Sequence, residues 1–374
     1  MKIGIITHHW GRDNYGQYLQ HYAMQEFLRS QGHEPFLINF VPETPVLPWH
    51  KLLLKAALHP LRALNVIWTR LFGQREFSQV SGDALRYQAF LQFRERFFSI
   101  SSEAYSSVEQ LQCNPPCADI YITGSDQVWN PFGFFSAIPA FFLNFGKPEV
   151  RRVAYAASWG RTEIPAKEQA IITPLLKNFD VVTVRESSGI DLCRLCGCDY
   201  ASCAPDPTFL LSVDHYQEIS RPPSCKEEKY LLLYRVHNTG GDDFDYKKLA
   251  AWAALRGLRI KYITGNGLND EFEKEYPSIE EWLGLIANAE YFVTNSFHGT
   301  VFGLMFRKRL GIIRLKGASK GMNARVETLW AELNADPLYI DDNNFDVLEQ
   351  AQEFDTGMLT EKARLIMLNA VNGQ

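Results

Sequence analysis

The feature that most constrains this chain is an alternation running through both halves. Short apolar runs of strand length are separated by segments whose apolar residues recur at helical spacing. Residues 3–7 form the first such run, residues 8–16 a polar, glycine-containing connector, and residues 18–30 a helical segment that stops at Gly32. Residues 35–40 read as the next strand, closing a βαβ unit whose right-handed crossover makes its two strands parallel. Further strands are expected at 119–123, 152–158, 180–185, 229–234, 259–264, 291–295 and 310–313. Helices are expected between them at 166–178, 246–255, 279–287 and 301–307. Strands alternating with helices in this way define the α/β class, with parallel sheets.

A chain of 374 residues is longer than one core usually supports. The expected architecture is two Rossmann-like domains facing a cleft, a GT-B-like arrangement, spanning 1–210 and 211–374. Four prolines (205, 207, 222 and 223) interrupt the alternation at the junction. Residues 42–100 break the pattern and read as a helical insertion in the first domain. Pro42, Pro45 and Pro48 form a stiff connector, residues 50–77 follow, and an aromatic helix carries Phe90, Phe93, Phe97 and Phe98. The final helix, around 359–371, is expected to cross back to the first domain.

Composition narrows the function. Hydrophobic residues make up 46% and charged residues 22%, an ordinary globular balance, and the net charge of −5 argues against a nucleic-acid partner. The N-terminus runs straight into a strand with no signal-peptide pattern, and no apolar run is long enough to span a bilayer, so a soluble, cytoplasmic protein is expected. Seven cysteines, an odd number, read as reduced thiols. Cys193, Cys196, Cys198 and Cys203 are too crowded for paired zinc-ligand turns, and Cys193 and Cys196 fall where a helix packs its apolar face, so no metal is expected. Residues 50–77 mix Lys51, Lys55, Arg62, Arg70 and Arg75 with leucines and Trp68. A helical hairpin over the cleft is the preferred reading of that segment; a peripheral contact with the inner face of a membrane is the alternative.

Four stretches carry candidate chemistry. They are Asn14-Tyr15-Gly16 with Leu19-Gln20 and Tyr22-Ala23; Gly124 through Asn130 (Gly-Ser-Asp-Gln-Val-Trp-Asn); Thr183-Val184-Arg185-Glu186 followed by Asp206-Pro207-Thr208; and Thr294 through Thr300 (Thr-Asn-Ser-Phe-His-Gly-Thr). Each alone is weak. In this order and at this spacing, from about Lys2 to Arg325, they resemble the polysaccharide pyruvyl transferase family. The resemblance implies an enzyme of polysaccharide (exopolysaccharide) biosynthesis that transfers a pyruvyl group from phosphoenolpyruvate to hydroxyls of a glycan or lipid-linked sugar. Phosphoenolpyruvate would be the donor substrate, with no separate cofactor.

Residue chemistry assigns provisional roles. Asn295, Ser296, Gly299 and Thr300 lie where a strand gives way to a helix expected to start near 299 or 300, a place suited to an anion. His298 can protonate or hydrogen-bond a leaving phosphate, and the resemblance implies a donor-site role for it. The Arg185 fork suits carboxylate and phosphate alike, although an Arg185–Glu186 structural pair is the plainer alternative. The resemblance adds Arg325 as a second cation. Asp126 is a candidate general base or sugar ligand, with Ser125, Gln127, Trp129 and Asn130 supplying amides, a hydroxyl and an aromatic face. Asn14, Tyr15 and Gly16 follow the first strand, where open α/β sheets place ligands. Gln17 stands where the family often has a small residue, and His8, His9 and Trp10 make this loop bulky. Asp206 reads preferentially as a turn residue, with a supporting position behind the site as the alternative. A GT-B glycosyltransferase using a nucleotide sugar, and a catalytically silent glycan-binding protein, are the rival readings.

Overall fold

The computed structural model describes all residues except 12, 44–76, 133, 224–227, 237–243, 266–269 and 374. Among these, β1 (Lys2–Ile6), β2 (Glu34–Phe40), β3 (Ile100–Tyr105), β4 (Ile120–Thr123), β5 (Arg151–Ala157), β6 (Val181–Val184) and β7 (Ser202–Cys203) form a sheet in the order β3-β2-β1-β4-β5-β6-β7. A second sheet, β11-β10-β8-β9, is built from β8 (Tyr230–Arg235), β9 (Arg259–Thr264), β10 (Tyr291–Thr294) and β11 (Arg309–Ile312). Every strand pair is parallel. Helices cover both faces, so β4, β8 and β10 are buried along their whole length. That explains their continuous apolar runs in place of strict alternation.

The expected strands are present with ends shifted by a residue or so. β3 and β7 are additions. β3 has the sequence ISSEAY and is largely exposed at the sheet edge, so it lacks the apolar signature of a buried strand. Within 42–100 the described part is the helix Phe77–Phe97, which precedes β3, and sheet pairing resumes at Ile100. The hairpin-or-membrane segment 50–77 lies outside the described residues apart from Phe77. No helix among the described residues is long and apolar enough to cross a membrane. Cys193, Cys196 and Cys198 are buried beside Leu192 and Trp159, and burial pushes all three thiols up.

One apolar cluster joins the two sheets. Tyr15, Phe90, Tyr216, Trp282 and Phe302 belong to a single apolar cluster that also takes Ile3 and Ile5 from β1 and Phe292 from β10. Tyr15 stacks on Trp282 at 5.0 Å with the rings 9° apart, and its hydroxyl donates to Pro277 O at 2.7 Å. Arg86, on the crossover helix, donates to Thr264 O at the end of β9, 2.7 Å away. The final helix Gly357–Asn372 packs on the first sheet, where Arg151 Nε donates to Ala370 O (2.8 Å) and Tyr155 Oη to Ala363 O (3.1 Å).

Behind β1, His9 and His21 are buried in a setting that disfavours their charged forms. Burial, joined by the charge of Arg94, lowers His9 to about 4; burial, joined by His9, lowers His21 to about 3. The unfolded chain takes up these protons near pH 6.5 while the folded chain refuses them. Stability should therefore be full above about pH 6.5 and fall steadily as the pH drops toward 4, by a few kcal/mol in all. Urea midpoints across that range measure it, and a His9→Phe variant should flatten the slope. A midpoint independent of pH would show that these rings are not buried as neutral species.

Candidate functional site

The C-terminal ends of β1, β4 and β6 in the first sheet meet the end of β10 in the second, and the four motif stretches converge there. The centre is Asp206. Its Oδ1 accepts from Thr208 N (3.0 Å) and Thr208 Oγ1 (2.8 Å), which is the turn role expected of it. Its Oδ2 does something the turn reading missed. It pairs with Arg185 Nη1 at 2.8 Å, lies 3.4 Å from His298 Nε2, and accepts from Ser125 Oγ at 3.4 Å. Asp206 thus ties β4, β6 and the second sheet together.

Arg185 sits one residue past β6, and its side chain is almost fully buried. Nη2 has Asp126 Oδ1 at 3.7 Å, too far for a hydrogen bond, and neither Nη2 nor Nε has a hydrogen-bond partner among the described residues. Glu186 is not its partner. Glu186 Oε1 accepts from Ser158 Oγ, Trp159 N and Gly160 N at 3.1, 2.7 and 3.2 Å, so the Arg–Glu pair gives way to an Arg185–Asp206 pair. Phe297 carries Arg185 at 4.6 Å and Arg325 at 5.4 Å from its ring centroid, so two guanidinium groups share one aromatic ring. Arg325 is lowered to about 10, first by burial and then by the like charge of Arg185. Burial alone would raise Asp126, but Arg185, His8, His298 and Arg325 bring it down to about 2.

The helix carrying His298 begins at Phe297, two or three residues earlier than its periodicity indicates. Ser296 is its N-cap and accepts from Gly299 N at 3.2 Å, so this hydroxyl is committed to the helix. Gly299 packs against Thr294 and Tyr234, with no room for a side chain. Thr300 is fully buried, and its hydroxyl has no hydrogen-bond partner among the described residues. Asn295 Oδ1 accepts from Val236 N, joining the loops after β8 and β10.

Several residues expected to face an acceptor are committed elsewhere. Asn14 caps the helix Tyr15–Ser30 by accepting from Gln17 N. Tyr15 is a core residue whose hydroxyl is used by Pro277. Trp129 is 1% exposed, stacks on Phe142 at 4.9 Å and donates to Phe141 O, so its face is closed to a sugar. Asn130 Oδ1 accepts from Phe132 N, and Gln127 Nε2 reaches Met322 Sδ at 3.4 Å. Ser125 Oγ is held between Ala156 O (3.0 Å) and Asp206. Asp126 remains partly open and is reached by Gln17 Nε2 at 3.5 Å, while Gln17 Oε1 accepts from Gly11 N at 3.1 Å. Gln17, the departure from the family pattern, therefore links Gly11 to Asp126.

Gly16 has a sharper explanation than a place near a ligand. A Cβ there would come 2.1 Å from His298 Cγ and Nδ1, so the imidazole lies directly on the helix backbone. Gly16→Ala should push the ring off Asp206 and cost about 1–3 kcal/mol through overpacking, read as a lowered urea midpoint. An unchanged midpoint would mean that the ring does not rest there. One helical turn later, Gln20 Nε2 meets His298 Nε2 at 2.6 Å. Gln20 had no assigned role in the sequence; its spacing of four from Gly16 is the signal that both face the same ring.

A cavity of about 20 Å³ lies against Arg185, Asp206, Phe297 and Arg325. A larger hollow of about 320 Å³ beyond β11 is lined by Phe244, Arg314, Lys316 and Asn343 and includes none of the motif residues.

Comparison with known proteins adds two findings. The family model described as polysaccharide pyruvyl transferase matches residues 14–314. Among solved structures, the UDP-GlcNAc 2-epimerase of Methanocaldococcus jannaschii in complex with UDP-GlcNAc and UDP is similar, with a TM-score of 0.53 and 10% identity over 99% of this chain and 100% of that one. A putative UDP-N-acetylglucosamine 2-epimerase from Listeria monocytogenes gives 0.51 and 9% over 100% and 97%. At such identities these neighbours establish the GT-B-like fold alone. No curated protein matches the sequence.

Proposed function

Since the chain belongs to the polysaccharide pyruvyl transferase family, we propose that it transfers the pyruvyl group of phosphoenolpyruvate to a pair of hydroxyls on a glycan or lipid-linked sugar. The observation that carries this reading is the buried meeting of Arg185, Arg325 and His298, with two guanidinium donors of Arg185 left without hydrogen-bond partners. Buried donors of this kind call for an anionic acceptor, and phosphoenolpyruvate brings a carboxylate and a phosphate.

In the reaction, one sugar oxygen bonds to C2 of the enol while the methylene carbon gains a proton and becomes a methyl group. The C2–O bond to phosphate then breaks, and the second hydroxyl closes the ketal. Of the two hydroxyl protons released, one balances the new methyl hydrogen and the other leaves with phosphate. Arg185 and Arg325 hold the anionic groups, and His298 delivers a proton to the methylene carbon or the departing phosphate. Asp126, held near 2, is always ionised at neutral pH and a weak base, so its fitting task is to accept a hydrogen bond from the sugar hydroxyl and orient it. The cavity against Arg185, Asp206, Phe297 and Arg325 is where these groups would meet the donor.

The test offers the protein phosphoenolpyruvate, and separately a set of nucleotide sugars, with free and lipid-linked glycans. Phosphate release together with a product heavier by a pyruvyl ketal supports the proposal. Release of a nucleoside phosphate would replace it with glycosyl transfer, and no turnover with any donor would favour a glycan-binding role.

A further inference from the structure

Gln20 and His298 make a contact whose chemistry is over-determined. Gln20 is 1% exposed, its Nε2 lies 2.6 Å from His298 Nε2, and its Oε1 is buried with no hydrogen-bond partner among the described residues. An amide nitrogen only donates, so this orientation would require His298 Nε2 to be a bare acceptor. Asp206 Oδ2 lies 3.4 Å from that same nitrogen. A carboxylate facing an imidazole lone pair in a buried site is repulsive, whereas a carboxylate facing an N–H is attractive. The oxygen and nitrogen of a glutamine amide are assigned from the hydrogen-bond network, and turning this one over places Oε1 on His298 Nε2. Both Gln20 and Asp206 then accept from a single Nε2–H.

We infer that Gln20 is a positioning residue that, together with Asp206, holds a proton on His298 Nε2 and leaves Nδ1 as the nitrogen that exchanges a proton during turnover. The inference about turnover rests on the pyruvyl-transfer reading; the inference about the protonated nitrogen does not. The arrangement parallels the general use of a carboxylate to fix a histidine tautomer, with an amide added as a second acceptor. The other charged groups around the ring are Asp126, Arg185 and Arg325. Arg185 is paired to Asp206, and Arg185 and Arg325 are among the charges that hold Asp126 down. Gly16 packs against the Cβ–Cγ–Nδ1 part of the ring, and any side chain there would occupy the space of the ring.

The test is spectroscopic and uses the full chain without substrate. Histidine labelled with 15N in the ring is incorporated, and the His298 signals are identified by their loss in His298→Ala. Across the titration, Nε2 should remain protonated while Nδ1 gains and loses its proton. Gln20→Met, of similar size, should lower the titration midpoint of His298 by about one pH unit, the scale of a lost hydrogen bond to a charged group. Gln20→Glu should raise it by a similar amount, because a carboxylate then faces the imidazolium. If phosphoenolpyruvate is the donor, the pH profile of kcat/KM should move in the same directions. A merely structural glutamine would change the urea midpoint and leave the His298 midpoint in place. An unprotonated Nε2 in the unmodified protein, or an unshifted midpoint in folded Gln20→Met, would overturn the inference whether or not phosphoenolpyruvate is turned over.

Discussion

Replacing His298 with Ala is expected to slow phosphate release from phosphoenolpyruvate by about 10²–10⁴-fold, the range over which a positioned acid or base contributes. The protein should remain folded. Asp206 keeps Arg185 and both Thr208 donors after the truncation, so its carboxylate is not stranded. The loss of one hydrogen bond and of packing on Gly16 should cost about 1–3 kcal/mol, visible in urea unfolding. Single-turnover measurement separates the two effects: donor binding should persist through Arg185 and Arg325 while chemistry slows. A turnover near that of the unmodified enzyme would remove His298 from the mechanism and leave it a packing residue between the two sheets.

Arg185→Met should have the larger effect on the fold. Its guanidinium is the close ionic partner, at 2.8 Å, of a carboxylate with no exposed surface; burial raises Asp206, and His298 first and Arg185 after it hold it down, so the truncation removes one of the groups that offset its burial. Breaking a buried pair on one side costs about 3–5 kcal/mol, because the remaining charge is left without compensation. Asp126 would also lose the cation that does most to hold it down. Turnover should fall below detection, since the donors proposed to grip the substrate are gone. Arg185→Lys retains the charge without the planar fork and should restore part of the stability but little turnover. A loss below about 1 kcal/mol in Arg185→Met would show that Asp206 does not depend on this pair.

Much of the fold was legible because parallel strands buried on both faces write themselves as continuous apolar runs. β1, β4, β8 and β10 are of this kind, and their positions follow from the sequence within a residue or so. β3 was not legible, because an exposed edge strand such as ISSEAY buries too little to need an apolar face. The start of the His298 helix was misplaced for a similar reason. Its first turn is buried entirely, so no amphipathic period marks where it begins; the Ser296 cap does.

The alternation of apolar runs and helical segments by itself determined the α/β class, the order of the four motifs determined the family, and the residue types within them determined that cations and carboxylates would be available. None of these could determine which of those groups meet. Asp206 looks like a turn residue because its Oδ1 makes a local bond to Thr208, two residues away, whereas its Oδ2 meets Arg185, 21 residues away, and His298 in the second sheet. Tyr15 and Trp129 look like ligand residues until packing closes their faces against Trp282 and Phe142. Local bonds leave a trace in neighbouring residues. Contacts between the ends of distant strands leave none, and only the meeting of the two sheets decides which side chains share a site.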